Sequence, residues 1–401
     1  MSDQFVKCKN INRRLQTEYL INNILDQDFQ AMLFPLNFVQ SCILMPRFSI
    51  INNFITPDNH VSFYIKSIIG CTVVTSSHVF RFLYYHEATR TFGTEVVTVL
   101  LYFDFIFFSL FSIFTHVVNS FQRSYVVELI IKLQHVLDYI KTDKRDFFYK
   151  LKIQNWLSVL FVVSMYLFHW ISACYDISIH GLLISFYLTV PLIIFDMQLV
   201  HVTRYVVMIK NELIAWIHKM EEFKRIHDKP EEEEPEVSES DMFNAYTDIL
   251  KAFRLSNKVY QFSITIFGFQ MFIHILINLQ YVLELEKVNL GETIFENNWI
   301  RSSIVLRNIK NFIYLVTLSI ACENFYRNIK LAESSCAQIL SNNASTGMRK
   351  TCKNVLRLNR ASLRKMSAFG VFELNAAFPL RLLGVLVTYS VVLLQFAFLS
   401  S

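Results

Sequence analysis

Seven stretches of about 20 or more mostly apolar residues constrain the fold of this chain more than any other feature of its sequence. A helix needs about 20 consecutive apolar residues to cross the hydrocarbon core of a bilayer. The composition agrees, because 53% of the residues are hydrophobic and only 18% are charged, whereas soluble domains are about 25% charged. We therefore predict an all-α membrane protein with seven spanning helices. The predicted spans are Val61–Tyr84, Thr94–Val118, Ile153–Tyr175, Ile179–Val207, Val259–Leu283, Ser303–Tyr326 and Pro379–Ser400.

One further apolar run, Ala31–Ile51, precedes the first span. It is interrupted by Pro35, Pro46 and Arg47. Proline breaks the hydrogen-bond ladder of a helix, and a charged side chain is costly inside a bilayer. We therefore interpret this run as an interfacial or buried amphipathic helix in preference to an eighth span.

Lysine and arginine are distributed unevenly among the segments that connect the spans. Five precede span 1, and seven, eight and nine lie in the loops after spans 2, 4 and 6. The loops after spans 1, 3 and 5 contain one, none and two. Because positively charged loops remain in the cytosol, we predict a cytosolic N-terminus and an extracellular C-terminus.

The basic loops also contain structural signals. Apolar residues recur at helical spacing over Tyr125–Tyr139 and Val355–Leu374, which predicts helices that extend the spans into the cytosol. The glutamate-rich run Pro230–Glu236 is interpreted as a disordered, solvated linker rather than a cation-sensing segment. The chain then divides into a cytosolic segment with an interfacial helix (1–60), spans 1 to 4 (61–207), a cytosolic loop with the acidic linker (208–258), spans 5 and 6 (259–326), cytosolic helices (327–378) and span 7 (379–401).

Enzyme motifs are absent from the sequence. It contains no G-x-S-x-G, no H-E-x-x-H, no P-loop and no G-x-G-x-x-G. The seven cysteines occur singly, without zinc-binding spacing. We therefore expect no enzyme activity, no catalytic residue, no metal site, no cofactor and no nucleic-acid partner.

Acidic residues inside predicted spans are candidate functional residues, because a charge in the bilayer costs about 2.5–3.5 kcal/mol on insertion scales. Asp104 lies near the middle of span 2, where it serves either as a ligand contact or charge partner, or as a buried aspartate with hydrogen-bonding neighbours. Asp196 lies in span 4 near His201 and Arg204, and we expect a structural pairing there.

A larger group of polar and aromatic residues lies in the predicted outer halves of the spans. Gln270, His274, Asn278 and Tyr281 are spaced to form one stripe along span 5. Such a stripe suits a small-molecule pocket, although polar side chains also join neighbouring membrane helices by hydrogen bonds. The candidate pocket comprises Asp104, Tyr166, His169, Trp170, Tyr187, Gln270, His274, Asn278, Tyr281 and Tyr314.

The last span has polar residues on one stripe of an otherwise apolar helix. Thr388 and Gln395 are seven residues apart, and residues at this spacing lie on nearly the same face. The stripe suits either a pore lining or a hydrogen-bonded contact with another helix. Together with Val392 and Phe396, which are suited to a hydrophobic constriction that gates by dewetting, these residues form a candidate pore and gate.

The same segment carries a resemblance to a known family. Thr388-Tyr389, five mostly apolar residues and then Gln395-Phe396 resemble the C-terminal signature of the insect gustatory receptors. Ser367–Asn375 is similar to the helix break that precedes the last span in that family. One residue departs from the pattern of the sugar-responsive branch, because Ser390 stands where that branch tends to have glutamate.

The resemblance implies a function that the spacing alone does not. Members of the family resemble insect odorant receptors and form tetramers around a pore lined by the last span, held together by a cytosolic anchor domain. An outward-facing pocket in each subunit binds the tastant, and a poorly selective cation pore opens. The resemblance thus implies a plasma-membrane receptor of sensory-neuron dendrites, homomeric or combined with related receptors. The excess of aromatic residues, with 38 phenylalanines and 18 tyrosines, favours bitter or other plant-derived molecules as ligands, with sugars as the alternative.

Two other classes of membrane protein fit the sequence less well. A G-protein-coupled receptor also has seven spans, but its N-terminus is extracellular, opposite to the orientation predicted here. Transporters often contain paired spans broken by glycine or proline in two halves of the chain, and here only span 4, with Pro191, is interrupted.

Overall fold

A computed structural model describes residues 23–57, 61–92, 95–140, 144–176, 179–227, 238–287, 294–341 and 345–399. Within these ranges the chain forms long helices and two short β-hairpins. In chain order the elements are α1 (Gln27–Cys42), β1 (Phe48–Ile51), β2 (Phe54–Pro57), α2 (Val61–Phe92), α3 (Glu95–Ile140), α4 (Lys144–Asp176), α5 (Ile179–His227), α6 (Glu239–Lys287), α7 (Ile294–Ser341), α8 (Thr346–Ser362), β3 (Ser367–Ala368), β4 (Phe372–Glu373) and α9 (Phe378–Leu399).

The predicted seven-helix architecture is confirmed. In the described part of the chain, seven helices (α2 to α7 and α9) are long and apolar enough to cross a membrane. Each coincides with one predicted span. Four of them are much longer than a bilayer requires, with 46 residues in α3, 49 in α5, 49 in α6 and 48 in α7. A helix of that length measures about 70 Å, so these four extend well beyond a hydrocarbon core of about 30 Å.

The core of the molecule surrounds α5. Of its apolar segment, 78% is buried inside the molecule, and it packs against α6, α7 and α4. The core continues beyond the spans, where the Trp216 indole donates a hydrogen bond to the Met242 carbonyl at 2.8 Å. Nearby, the rings of Phe253 and Phe325 stack with their centroids 4.1 Å apart. Contacts of this kind hold α5, α6 and α7 together.

The run Ala31–Ile51, predicted to be an interfacial or buried helix, forms α1 and β1. With 16 residues α1 is shorter than a span, and it packs against α4. The Asn155 side chain of α4 donates to the Met32 carbonyl at 2.8 Å. The β1–β2 turn places Asn52 and Asn53 at positive φ, a conformation that asparagine tolerates better than most residues.

The prediction of a continuous helix over Val355–Leu374 is wrong beyond Ser362, where α8 ends. The chain then forms the β3–β4 hairpin, whose turn places Phe369 and Gly370 at φ values of 50° and 77°. Contacts with other helices hold this non-helical backbone in place. The backbone N–H of Met366 donates to the Tyr326 hydroxyl at 2.7 Å, and that of Ser367 donates to Asn257 Oδ1 at 3.1 Å.

Candidate functional site

A buried carboxylate at the centre of the helical bundle is held by groups from three helices. Asp196 of α5 accepts a hydrogen bond from the Tyr166 hydroxyl of α4 at 2.7 Å. The Lys310 ammonium of α7 forms an ion pair with Asp196 and lies 3.0 Å from the Tyr166 oxygen. All three side chains are buried. The ion pair therefore joins α5 to α7, and the phenol joins α4 to both.

The environment of Lys310 is aromatic as well as ionic. Its ammonium lies 4.6 Å from the centroid of the Tyr166 ring and 5.8 Å from that of Tyr314. A cation near an aromatic face gains about 2 kcal/mol or more when both are desolvated. The Tyr314 hydroxyl is buried without a hydrogen-bond partner in the described part of the chain.

A second polar group adjoins this ion pair, one helical turn away on α7. The Arg307 guanidinium lies 3.2 Å from Asn278 Oδ1 and 3.4 Å from His274 Nδ1, both on α6. The His274 ring packs on Phe108 of α3, with centroids 4.5 Å apart. On the same face of α6, Gln270 is buried. Its Oε1, like Asn278 Nδ2, has no hydrogen-bond partner among the described residues.

These two groups form one polar layer, which we call the central polar layer: Tyr166, Asp196, Gln270, His274, Asn278, Arg307, Lys310 and Tyr314. It is bordered by aromatic rings, since Phe161 meets Tyr314 edge-on at 6.0 Å and Phe108 meets Phe195 at 6.3 Å. Charged groups and unpaired hydrogen-bonding atoms surrounded by aromatic rings suit recognition of a small molecule that is partly apolar and partly polar. No group of three or more potential metal ligands occurs among the described residues.

The structure brings together five residues of the predicted pocket, namely Tyr166, Gln270, His274, Asn278 and Tyr314. A sixth, Trp170, lies next to them with its ring centroid 6.4 Å from that of Tyr166. The side chains of Asp104, His169, Tyr187 and Tyr281 lie outside the described residues. The pocket assignment itself stays a prediction.

The expected pairing of Asp196 with His201 and Arg204 is not observed. Arg204 donates instead to Asn155 Oδ1 at 2.7 Å, and His201 is bonded to backbone carbonyls, including that of Leu36 at 3.2 Å. Eight residues along a helix correspond to a rise of about 12 Å, which separates Asp196 from Arg204. The sequence pattern does not identify Lys310 as the true partner, although a lysine within an apolar span itself indicates a buried charge that needs a partner.

The predicted pore and gate residues lie on a helix that the rest of the chain leaves largely uncovered. Only 17% of the apolar segment of α9 is buried, and its main contacts are with α6 and α7. Thr388 donates to the Gly384 carbonyl of its own helix at 3.0 Å. Gln395 is exposed, and Val392 and Phe396 are 39% and 66% exposed. The four residues therefore face away from the rest of the helical bundle, and their role in a pore stays a prediction.

Comparisons with known proteins agree with this architecture. A family model described as "7tm Chemosensory receptor" matches residues 34–400 of the chain. The fold is similar to that of the insect olfactory receptor OR5 from Machilis hrabei, solved in complex with eugenol, with a TM-score of 0.58 and 12% identity. That match covers 92% of this chain and 100% of the other. At this identity it establishes a common fold. No curated protein sequence matches the chain.

Proposed function

Because the chain belongs to the 7tm chemosensory receptor family, we propose that it is a gustatory receptor, a cation channel of low selectivity that tastant molecules open. The observation that carries the proposal is the central polar layer, buried between α4, α5, α6 and α7. Its unpaired hydrogen-bonding atoms include Gln270 Oε1, Asn278 Nδ2 and the Tyr314 hydroxyl.

The chemistry of the central polar layer indicates the class of ligand. Hydrogen-bonding groups are supplied by the Arg307 guanidinium, the Lys310 ammonium and the side-chain amides of Gln270 and Asn278. Flat apolar surfaces are supplied by the rings of Phe108 and Phe161. A phenolic or otherwise oxygenated aromatic molecule matches both, and the olfactory receptor of the same fold was solved with eugenol. We therefore favour bitter or other plant-derived compounds, with sugars as the alternative.

The exposed apolar face of α9 supports the channel part of the proposal. Contact with water disfavours such an apolar face. Inside a membrane, lipid or a neighbouring subunit covers the face. Thr388 and Gln395 give this face a polar stripe, which suits a water-filled pore better than lipid. We propose that α9 lines the pore in a tetramer, formed by this chain alone or with related receptors.

The test is a current recording from excised outside-out patches of cells that express only this chain. Plant phenolics, bitter alkaloids and sugars are applied outside, without nucleotide in the pipette. Prompt currents with little discrimination among Na⁺, K⁺ and Cs⁺ are expected, and the active compounds identify the ligand class. Currents that appear only in intact cells, and disappear in excised patches of the same membrane, would instead indicate a receptor that acts through G proteins.

A further inference from the structure

A buried arginine lies where α1 and β1 meet the spanning bundle. Arg47 is 1% exposed. Its Nη2 donates to Asn119 Oδ1 of α3 at 2.6 Å and to Gln198 Oε1 of α5. Its guanidinium carbon lies 4.7 Å from the centroid of the Tyr260 ring of α6. These partners are all neutral, and no carboxylate contacts Arg47 among the residues that the structure describes.

Several hydrogen-bond donors around Arg47 have no partner in the described part of the chain. They are Arg47 Nε and Nη1, Asn119 Nδ2, Gln198 Nε2 and the Tyr260 hydroxyl. Each amide nitrogen is bonded to the same carbon as the oxygen that contacts Nη2, so covalent geometry keeps both nitrogens within about 5 Å of Nη2. Unsatisfied buried donors that cluster in this way commonly mark an ordered water or an ion.

The charge distinguishes between these two occupants. Water would satisfy some of the donors, but the Tyr260 ring would then be the only group offsetting the charge of Arg47 among those described, with no counter-charge in a medium of low dielectric constant, which is unfavourable. An anion satisfies the donors and compensates the charge. Because Arg47, Gln198 and Tyr260 are each at most 1% exposed, the site favours a small anion over a bulky group such as a lipid phosphate.

We propose that Arg47, Asn119, Gln198 and Tyr260 hold one small inorganic anion, such as chloride, between the α1–β1 segment and the spanning bundle. The anion neutralises Arg47 and receives hydrogen bonds from its guanidinium and from the neighbouring amides. It thereby fixes the α1–β1 segment to α3, α5 and α6. This site is separate from the central polar layer and does not depend on the proposed function.

The test uses the purified full-length protein in lipid nanodiscs. Thermal unfolding is followed while gluconate, which is too large for the site, is replaced by chloride or bromide at constant ionic strength. Because a ligand that binds only the folded state stabilises it, the unfolding temperature is expected to rise saturably, by about 2 °C or more. An unchanged unfolding temperature would overturn the proposal and leave water as the occupant.

Two variants test whether the effect arises at this site. Asn119→Asp places a carboxylate against Arg47 and is expected to abolish the chloride response while the protein stays folded in gluconate. Gln198→Glu makes the same test from α5, should the first variant fail to fold. Arg357→Gln, at an exposed position of α8, is the control and should retain the response. A full chloride response in both acidic variants would place the anion elsewhere and refute the assignment.

Discussion

At the scale of single residues, the ion pair between Lys310 and Asp196 places two opposite charges in the interior of the bundle. Removal of one partner leaves a buried charge uncompensated, which typically costs about 3–5 kcal/mol, whereas replacement of both by neutral groups costs much less. We therefore expect Lys310→Met and Asp196→Asn each to lower the unfolding temperature strongly, and the double variant to recover most of the loss. The measurement is a thermal-unfolding double-mutant cycle on purified protein. Additive losses would show that the two side chains are not energetically coupled.

A second residue, His274, provides a test of ligand recognition. Its ring packs on Phe108 and lies within reach of Arg307, so His274→Ala removes both a stacking and a polar contact from the central polar layer. Such a loss is worth about 1.4 kcal/mol, which corresponds to a tenfold increase in the half-maximal ligand concentration. Patch recordings with an active compound measure this shift.

The matched control for that substitution is Phe269→Ala. Phe269 lies on α6 five residues earlier and is 45% exposed on the outer surface of the bundle. It should leave the half-maximal concentration unchanged, with surface protein measured for both variants. Equal dose–response curves for His274→Ala and the parent would place the ligand site outside the central polar layer.

At the scale of elements, the β3–β4 hairpin depends on backbone conformation. Gly370 adopts φ +77° with nothing within 4 Å of an added Cβ, and Gly384 in α9 is equally open but helical. Gly370→Ala is therefore strained by about 1 kcal/mol and should lower the unfolding temperature, whereas Gly384→Ala should not. Thermal unfolding of the two variants makes the comparison, and equal unfolding temperatures would mean that the turn relaxes without cost.

The α9 helix allows a test of the proposed gate. If Phe396 forms a hydrophobic constriction, Phe396→Ala should widen and hydrate it, so that current flows without ligand. The control is Leu380→Ala, because Leu380 lies at the other end of α9 and is similarly exposed, at 69%. Ligand-free current in outside-out patches is the quantity measured. If the channels of the Phe396 variant stay closed without ligand and give normal currents with ligand, this residue is excluded as the gate.

The same elements show what the sequence predicts and what it does not. The spans and the stripe Gln270–His274–Asn278 follow from local periodicity, because the bilayer and the helix repeat impose them. The partner of Asp196 does not, since Lys310 lies 114 residues away and only the packing of α5 against α7 brings them together. The helical periodicity over Val355–Leu374 does not predict the β3–β4 hairpin, because Phe369 adopts a left-handed conformation that its residue type disfavours. The family resemblance of Ser367–Asn375 does indicate that the helix breaks there.

At the scale of the whole molecule, the uneven distribution of lysine and arginine predicts the orientation in the membrane. A C-terminal epitope tag should bind antibody on intact cells, and an N-terminal tag only after permeabilisation. Flow cytometry of both tagged forms, with and without detergent, measures this directly. The reverse labelling pattern would contradict the predicted topology and would favour the orientation of a G-protein-coupled receptor.

The length of α7 allows a small rotation near its middle to become a larger displacement at its C-terminal end. Lys310 lies in the central polar layer, and the helix continues from there to Ser341 over about 45 Å. A rigid rod of that length that pivots by about 5° at the level of Lys310 moves its far end by about 4 Å. A small rearrangement around a bound molecule at the level of Lys310 would thus produce a much larger displacement of α7 near Ser341.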